Sequence, residues 1–395
     1  MMKKQLLIIS GGMEIGGIER SLLGLLGELD YERYDVDLLL FNVGGELLPL
    51  VDKRCNILPE IKPCAAMTLP ISAAIKYAPV IGIKRAVNRI TVPRKYGRDD
   101  GATFAILSAY WRSCVGNMPA QKKKYDVAVS FMWPHDYAAK KVKADKKIAW
   151  IHTDYTIAKM NFEKDEKVWQ HFDKIAGVSD EVGEAFKKVY PSLSNKVITI
   201  ENILSAEFIK SQAKKEKPEG FDSTKKSVLS VGRFTYQKAF ELAAESCAIM
   251  KEKGCDFKWY LIGYGPDEEL IRSKIKENNV EDTMIILGKK TNPYPYMAAC
   301  DVYAQPSRYE GKAVTVREAQ TLGKPVLITA YETAPSQIEN GVDGIICPMG
   351  VESVADALVK LLNDEAARNK LSQNCLSRDF SNKECIQLLY DFIEN

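Results

Sequence analysis

The chain has 395 residues, of which 46% are hydrophobic, and its formal net charge is only +3. This length favours two or three domains, and the small net charge excludes the strong positive field of a general nucleic-acid-binding protein, so we expect no nucleic-acid partner. Nine cysteines without paired or metal-like spacing favour a reduced, cytoplasmic compartment, and every apolar run is shorter than the roughly 20 residues of a membrane-spanning helix.

The first half of the chain alternates short apolar runs with helical patterns. The runs are rich in branched residues, as is typical of strands buried on both faces of a parallel sheet: Leu6–Ser10, Val36–Phe41, Val127–Phe131, Ile148–His152 and Ile175–Val178. The first run is too short for the core of a signal peptide, and a glycine turn separates it from a helical pattern over Ile18–Leu29. The sequence therefore predicts a doubly wound α/β domain.

The segment from Ile61 to Arg98 departs from this alternation, because it contains eight basic residues and no acidic residue. The basic residues are Lys62, Lys76, Lys84, Arg85, Arg89, Arg94, Lys95 and Arg98. The interleaved apolar residues are Leu69, Ile71, Ile75, Val80, Ile81, Ile83, Val87 and Ile90, and Tyr110, Trp111 and Arg112 follow. We interpret the region 61–112 as a peripheral surface for an anionic membrane, with two short helices because Pro79 and Pro93 interrupt it. The alternative is an ordinary helical pair packed on the sheet, with a solvated basic side.

A polar stretch, Lys210–Gly220, then predicts a linker or exposed loop. After it the alternation begins again. The predicted strands are Val228–Val231, Trp259–Ile262, Met284–Leu287, Val302–Ala304 and Val326–Ile328, and the predicted helices are Phe240–Lys251, Asp267–Asn278 and Ala313–Leu322. These patterns indicate a second doubly wound domain, and the amphipathic segment Asn382–Ile393 predicts a final helix.

The run from Ala304 to Val326 is the strongest candidate for chemistry. A buried strand ends there at a polar loop, and a helix is predicted to begin near Lys312. The free amides of such a helix start favour an anionic group such as a diphosphate. Glu310 and Glu318 are poor phosphate ligands, but they are good acceptors for the hydroxyls of a sugar and a ribose. The alternative for Glu310 is that its carboxylate only caps the helix.

Two other loops follow strands of the second half. Arg233 and Lys238 come after the strand Ser227–Val231 and can bind one diphosphate together, although surface salt bridges would explain them equally well. Gly263 and Gly265 follow the next strand, where they permit close approach of a ligand to the backbone or form only a tight connection.

The first half offers weaker signals. The loop Gly11–Arg20 joins the first strand to the first helix but lacks the G-x-G-x-x-G spacing of a dinucleotide site. His152 ends a strand at the edge where such sheets bind ligands, although a histidine at a strand end is more often a packed residue. The spacing of His and Cys fits no zinc site, so we expect no metal.

The motif Pro306-Ser307-x-x-Glu310-Gly311, followed by Glu318 and by Gly323-Lys324-Pro325-Val326, resembles the retaining GT-B glycosyltransferases of family four. The resemblance covers nearly the whole chain and is strongest over Val228–Ile328. Within the family, the chain is similar to members that build bacterial capsular polysaccharides and exopolysaccharides. The resemblance implies two Rossmann-like domains with an interdomain cleft, and metal-independent transfer of a sugar from a nucleotide donor without a further cofactor.

The resemblance also implies roles for matching residues. Glu310 would contact hydroxyls of the transferred sugar, and Glu318 would contact the ribose of the nucleotide. Arg233 and Lys238 would neutralise the leaving diphosphate, and His152 would face the donor sugar. The other residues expected to bind the donor are Gly16, Gly17, Gly263, Gly265, Leu287, Gly311, Lys312, Ala313 and Val314.

From these patterns and this resemblance, we expect an acceptor-side domain over residues 1–205, a donor-binding domain over 206–380, and a helix over 381–395 that packs back on the first domain. The expected reaction transfers a sugar, with retention, from a UDP-sugar to a lipid-linked saccharide at the cytoplasmic face of the membrane. Three alternatives stay open: a nucleotide-sugar epimerase, a transferase with a soluble acceptor, and a non-catalytic membrane partner of a polysaccharide assembly complex.

Overall fold

The computed structural model describes residues 3–96, 100–153, 155–222 and 224–395. The chain divides into two units. Unit 1 contains the residues up to Ile203 together with Lys383–Asn395, and unit 2 contains Leu204–Asn382. Arg98, which the sequence analysis assigns to the basic surface, lies outside the described residues.

Unit 1 is built around a parallel sheet of seven strands in the order β3-β2-β1-β4-β5-β6-β7. The strands are β1 (Lys4–Ser10), β2 (Tyr34–Leu40), β3 (Asn56–Ile57), β4 (Lys124–Ser130), β5 (Lys143–Ile151), β6 (Lys174–Gly177) and β7 (Val197–Thr199). The helices of its first segment are α1 (Gly17–Glu28), α2 (Lys62–Ala65), α3 (Ile71–Tyr77), α4 (Pro79–Tyr96), α5 (Asp100–Cys114), α6 (Asp136–Lys141), α7 (Phe162–Trp169) and α8 (Asp180–Val189). The centre of β1 is fully buried, and Leu6 pairs with Val36 on one side and Val127 on the other. A strand covered on both faces needs a continuous apolar run, which is why β1 was recognisable in the sequence.

Unit 2 contains a parallel sheet of six strands in the order β10-β9-β8-β11-β12-β13. Its strands are β8 (Lys226–Val231), β9 (Phe257–Ile262), β10 (Met284–Gly288), β11 (Val302–Gln305), β12 (Val326–Thr329) and β13 (Ile345–Cys347). Its helices are α9 (Ala206–Ala213), α10 (Phe240–Glu252), α11 (Glu268–Glu277), α12 (Tyr294–Ala299), α13 (Val314–Thr321), α14 (Val351–Asn363) and α15 (Glu365–Leu376). Val228 belongs to the core cluster that includes α10, α11 and α14, whereas Leu229 belongs to the cluster that includes α9, α12 and α13. Successive residues of β8 therefore point to opposite faces, as in a Rossmann-like domain, and the prediction of two such domains is confirmed.

The last helix, α16 (Ile386–Glu394), belongs to unit 1. Tyr390 stacks on Tyr34 with 5.2 Å between the ring centroids, and its hydroxyl accepts a hydrogen bond of 2.9 Å from the amide of Asp30. The Glu394 carboxylate lies 2.6 Å from Lys4 Nζ and 3.0 Å from Arg33 Nη2. A terminal helix is thus tied to the first two strands by stacking and by charge.

The predicted linker Lys210–Gly220 is wrong in its first part. Residues up to Ala213 form the end of α9, whose start is capped by the Ser205 hydroxyl. Ile209 and Gln212 are buried, because this helix packs against α12 and α13. Lys210 and Ser211 are exposed on the solvent side of α9, and together with the buried Gln212 they made this end of the helix read as a polar stretch in the sequence.

The predicted basic surface of unit 1 also needs correction. Arg85 is only 8% exposed and donates a hydrogen bond of 2.7 Å to the carbonyl of Leu69, so it ties α4 to the loop before α3. Tyr110 and Trp111 are buried, and the Trp111 ring lies 4.5 Å from that of Phe41. Pro79 begins α4, as expected of a residue without an amide proton, but Pro93 lies inside the same helix and does not end it.

Candidate functional site

The candidate site of unit 2 lies where the strand order of its sheet reverses. The chain leaves β8 and moves to one side of the sheet through β9 and β10, and β11 then lies on the other side of β8. The helices that follow the two central strands, α10 and α13, therefore pack on opposite faces of the sheet, and the carboxyl edge at such a reversal is where these sheets bind ligands. The loop 232–239 follows β8 and the loop 306–313 follows β11, and these are the two loops that the sequence analysis singled out.

Glu310 and Lys238 form an ion pair across these two loops. The distance from Lys238 Nζ to Glu310 Oε1 is 2.5 Å, and the two side chains are 14% and 7% exposed. Two other donors hold the same carboxylate: Ser307 Oγ lies 2.6 Å from Oε1, and Gln237 Nε2 lies 3.0 Å from Oε2. The structure thus places two of the four predicted catalytic side chains in direct contact.

The alternative in which Glu310 only caps the following helix is wrong. The N-cap of α13 is Ala313, and no side-chain hydrogen bond caps it. The helix begins at Val314, one residue after the start of the predicted helix Ala313–Leu322, and its first turn contains no acidic residue. The first amides of α13 consequently keep the capacity of a helix start to bind an anion, beside Gly311 and Lys312.

A buried relay of hydrogen bonds supports Glu310, and the sequence analysis did not find it. The Tyr303 hydroxyl donates to Gln305 Oε1 at 2.9 Å, Gln305 Nε2 donates to Ser307 Oγ at 3.0 Å, and the Ser307 hydroxyl donates to Glu310. All three supporting residues are fully buried. Tyr303, Gln305 and Ser307 are alternate residues of β11 and of the segment that follows it. This alternation of polar side chains in the sequence could have indicated the relay.

Glu318 is held by a different tyrosine. Its side chain is fully buried, and Oε1 accepts a hydrogen bond of 2.7 Å from the Tyr294 hydroxyl on α12. A buried carboxylate is tolerated only with such partners, so Tyr294 is part of the candidate site. The sequence offered no sign of this contact, because no element and no role were predicted for the segment that contains Tyr294.

Arg233 and Lys238 differ in exposure. Arg233 is exposed, and within the described parts of the chain its guanidinium forms no ion pair. The aliphatic part of Lys238 lies against Gly232, where an added Cβ would approach Lys238 Cε to 3.2 Å. Ala239 follows with φ of +55°, a left-handed conformation that costs roughly 1 kcal/mol for a residue with a side chain.

Gly263 and Gly265 have a packing role that the sequence left open. An added Cβ on Gly263 would lie 1.9 Å from the carbonyl oxygen of Gly232, and one on Gly265 would lie 2.2 Å from that of Phe234. Gly263 also has φ of +156°. These glycines permit the turn after β9 to pack on the loop after β8. Leu287, near the end of β10, is partly buried against the core cluster that includes α12 and α13.

The predicted residues of unit 1 lie at the carboxyl edge of its own sheet. Gly16 is the N-cap of α1, and an added Cβ there would lie 2.1 Å from the Glu19 carboxylate, whereas Gly17 has open space around it. His152 follows β5, and its Nε2 lies 2.8 Å from the carbonyl oxygen of Phe131. Because a carbonyl can only accept, the proton is on Nε2 and Nδ1 is the acceptor. Burial lowers the pKa of His152 to about 4, so its imidazole is neutral at pH 7.

His135, after β4, is more deeply buried than His152. Its Nδ1 lies 2.7 Å from Ser130 Oγ, and its ring packs against those of Trp169 and Phe172. Burial lowers the pKa of His135 to about 3. Among the described residues, no group of three or more His, Cys, Asp or Glu side chains is arranged to hold a metal ion.

Part of unit 2 matches a known family of proteins. Residues 211–378 match the family described as glycosyl transferases group 1. The amylovoran biosynthesis glycosyltransferase AmsK of Erwinia amylovora is 32% identical over 148 residues, which are 35% of this chain and 36% of that protein. A Campylobacter jejuni relative, named as an N-acetylgalactosaminyltransferase acting on a diphospho-undecaprenol-linked saccharide, is 28% identical over 155 residues, which are 39% of this chain and 42% of that protein. The match therefore spans less than half the length of these relatives.

A solved structure resembles the chain over nearly its whole length. The structure of Anabaena HepE in complex with UDP-glucose superposes with a TM-score of 0.70 and 15% identity, and the alignment covers 99% of each chain. At this identity the likeness shows the fold alone. The prediction of a GT-B fold is thereby confirmed: the segment 211–378 matches the group 1 glycosyl transferases, and the chain has the GT-B fold and resembles relatives named for bacterial polysaccharide synthesis.

Proposed function

We propose that the protein is a retaining glycosyltransferase that moves a sugar from a UDP-sugar to a lipid-linked saccharide during the synthesis of a cell-surface polysaccharide. The observation that carries this proposal is the meeting of Lys238 and Glu310 at the reversal of the strand order, beside the free start of α13. A cation and a helix start suit a diphosphate, and a fixed carboxylate suits sugar hydroxyls. In this proposal one edge of the sheet serves both parts of a nucleotide sugar.

The reaction requires stabilisation of the leaving nucleoside diphosphate. In this proposal Lys238, Arg233 and the amides near Ala313 and Val314 neutralise the charge that develops on it, in the role that a metal ion has in other transferases. Glu310 orients the sugar, and Glu318, fixed by Tyr294, accepts from the ribose hydroxyls. The acceptor hydroxyl attacks from the face on which the diphosphate departs, which retains the anomeric configuration.

His152 has a supporting role towards the donor sugar in this proposal. Its position after β5 and its fixed tautomer support that role, since Nδ1 is an acceptor that a sugar hydroxyl can use.

A lipid-linked acceptor agrees with the name of the Campylobacter relative and with the surface of unit 1. Val80, Ile83, Val87 and Ile90 of α4 are each more than half exposed, and Arg89, Arg94 and Lys95 beside them are exposed. We propose that this face of α4 rests on the anionic inner surface of the cell membrane, where apolar side chains enter the interface and cations contact headgroups. In the described parts of the chain, the structure contains no helix that is long and apolar enough to cross a membrane.

The test is a screen of radiolabelled UDP-sugars with a native lipid extract. The wild-type protein is expected to transfer label to the lipid fraction with one of the donors. Glu310→Ala is expected to reduce the rate by about 100-fold or more, because a fixed group that orients the reacting sugar is lost. The control is Asp282→Asn, which removes an exposed carboxylate paired with Lys251 at 2.9 Å.

Equal incorporation by the wild-type protein and Glu310→Ala would contradict the role of Glu310. Release of a free epimerised nucleotide sugar, without labelled lipid, would support the epimerase alternative. Label in a soluble saccharide would support a transferase with a soluble acceptor.

A further inference from the structure

The ion pair between Lys238 and Glu310 bears on the order in which the site binds the diphosphate and the sugar of the donor. In the proposed function the two residues bind different parts of the donor, Lys238 the diphosphate and Glu310 the sugar. In the structure they bind each other, with 2.5 Å between Nζ and Oε1. Lys238 therefore has to change partner, at least in part, before it can serve the diphosphate.

The neighbours of the pair permit such a change. Glu310 keeps two hydrogen bonds without Lys238, one from Ser307 and one from Gln237. In the described parts of the chain, the ammonium of Lys238 pairs with Glu310 alone, and its aliphatic stem lies against Gly232. A lysine side chain is a flexible point charge, whereas a carboxylate with fixed donors on both oxygens is held in place. The mobile member of the pair is therefore Lys238.

We propose that the diphosphate of the donor displaces Glu310 from Lys238, so that the Glu310 oxygen that accepts sugar hydroxyls is released only when the diphosphate has arrived. This inference rests on the proposed function. Glu310 acts as a competitor of the diphosphate in the empty site and as a ligand of the sugar in the filled site. The partly buried pair also compensates both charges while the site is empty, which avoids an unpaired buried charge.

Ser307 is the positioning residue of this exchange. It receives a hydrogen bond from Gln305 and donates one to Glu310, so its proton is directed at the carboxylate by the buried relay. When Lys238 turns to the diphosphate, Ser307 and Gln237 keep Glu310 where the sugar will lie. Without Ser307, the Gln237 amide alone would hold the Glu310 carboxylate in this position.

The experiment measures the affinity for UDP, which lacks the sugar, by calorimetry. Glu310→Gln is expected to bind UDP about tenfold more tightly than the wild-type protein, if the pair leaves Lys238 available in about a tenth of the molecules. Lys238→Met is expected to weaken UDP binding about tenfold or more, and Asp282→Asn is expected to have the wild-type affinity.

The double variant Glu310→Gln/Lys238→Met separates competition for Lys238 from general repulsion between Glu310 and the phosphates. Competition predicts that the double variant binds UDP like Lys238→Met alone, because no lysine remains to be released. Repulsion predicts the same gain from Glu310→Gln in both backgrounds, and that result would overturn the inference. Equal UDP affinity of the wild-type protein and Glu310→Gln would also overturn it and would leave the proposed function standing. No uptake of UDP by the wild-type protein would overturn the proposed function, and the inference with it.

The role of Ser307 is tested with Ser307→Ala. We expect the affinity of this variant for UDP to lie within about twofold of wild type. The correct UDP-sugar binds more tightly than UDP because of its sugar, and we expect this gain to be about tenfold smaller in the variant, because only Glu310 loses its support. A general distortion of the site would weaken UDP and UDP-sugar alike. An unchanged contribution of the sugar would show that Ser307 has no positioning role.

Discussion

The imidazole of His152 illustrates how burial selects one chemical form of a residue. Its Nε2 proton is directed at the carbonyl of Phe131, and its ring lies 4.9 Å from the Phe131 ring. Loss of hydration disfavours the charged form, and this lowers the pKa from the ordinary value of 6.5 to about 4. The same residue on a surface would be half charged near pH 6.5 and would have no fixed tautomer.

This shift predicts how stability depends on pH. The unfolded chain takes up a proton at His152 as the pH falls below about 6.5, whereas the folded protein does so only near 4. The contribution of His152 to stability is therefore complete above about pH 6.5 and is lost as the pH falls to about 4. We expect the free energy of unfolding of wild type to fall over this window by about 1–3 kcal/mol more than that of His152→Gln.

Urea unfolding at pH 4.5, 5.5, 6.5 and 7.5 measures this difference. His171→Gln is the control, because His171 is exposed and should contribute less to the pH dependence. Parallel pH profiles of wild type and His152→Gln would contradict the proposed effect of burial.

At the scale of elements, α4 has two distinct faces. Ile81, Arg85 and Val92 are buried, whereas Val80, Ile83, Val87 and Ile90 are 52%, 56%, 54% and 60% exposed. The exposed four recur at intervals of three and four residues, so they form one stripe along the helix. A stripe of branched apolar residues beside exposed cations is typical of a helix that lies on an anionic interface.

The prediction for this element concerns binding to vesicles. Ile83→Ser/Val87→Ser should weaken binding to vesicles containing phosphatidylglycerol by about tenfold or more, because two apolar side chains no longer leave water. The measurement is co-sedimentation over a range of lipid concentrations. Leu270→Ser/Leu388→Ser is the matched control, since those leucines are 47% and 46% exposed on other helices.

Two results would count against the stripe as a membrane surface. One is equal binding of the wild-type protein to neutral and to anionic vesicles, which would leave the cations without a role. The other is equal binding of the two double variants, which would show that any pair of exposed apolar residues serves as well.

At the scale of the whole molecule, the chain forms two units with one sheet each, and its last helix, α16, packs in the first unit. Tyr390 is 7% exposed, stacks on Tyr34 and is bonded to the amide of Asp30. Unit 1 therefore depends on residues that follow unit 2 in the sequence. Each unit has its own core, so damage at this contact should stay within unit 1.

Tyr390→Ala tests this division. Truncation of a buried aromatic side chain costs about 3 kcal/mol, and the loss should fall on the strands that α16 covers. Hydrogen exchange followed by mass spectrometry should show faster exchange in β1 and β2, with unchanged exchange in β8 and β11 and unchanged affinity for UDP. Faster exchange in both sheets would contradict independent stability of the two units.

The sequence by itself determined the two Rossmann-like sheets and the two loops of the candidate site in unit 2. A parallel strand covered on both faces must be apolar along its length, and a loop that follows it is polar, so both signals are local in the sequence. Glu310, Glu318, Arg233 and Lys238 could be named for that reason, together with their resemblance to a known motif. The short edge strands β3 and β7 gave no such signal, because both are brief, β3 is exposed and β7 is only partly buried.

Only the tertiary structure decided which side chains meet. Lys238 and Glu310 are 72 residues apart in the sequence, and their contact follows from the placement of β11 beside β8. The burial of Arg85 and Trp111 and the helix α9 in the predicted linker likewise depend on neighbours that are distant along the chain. A local pattern states what a residue can do, whereas its partner is set by packing between elements, which no local pattern contains.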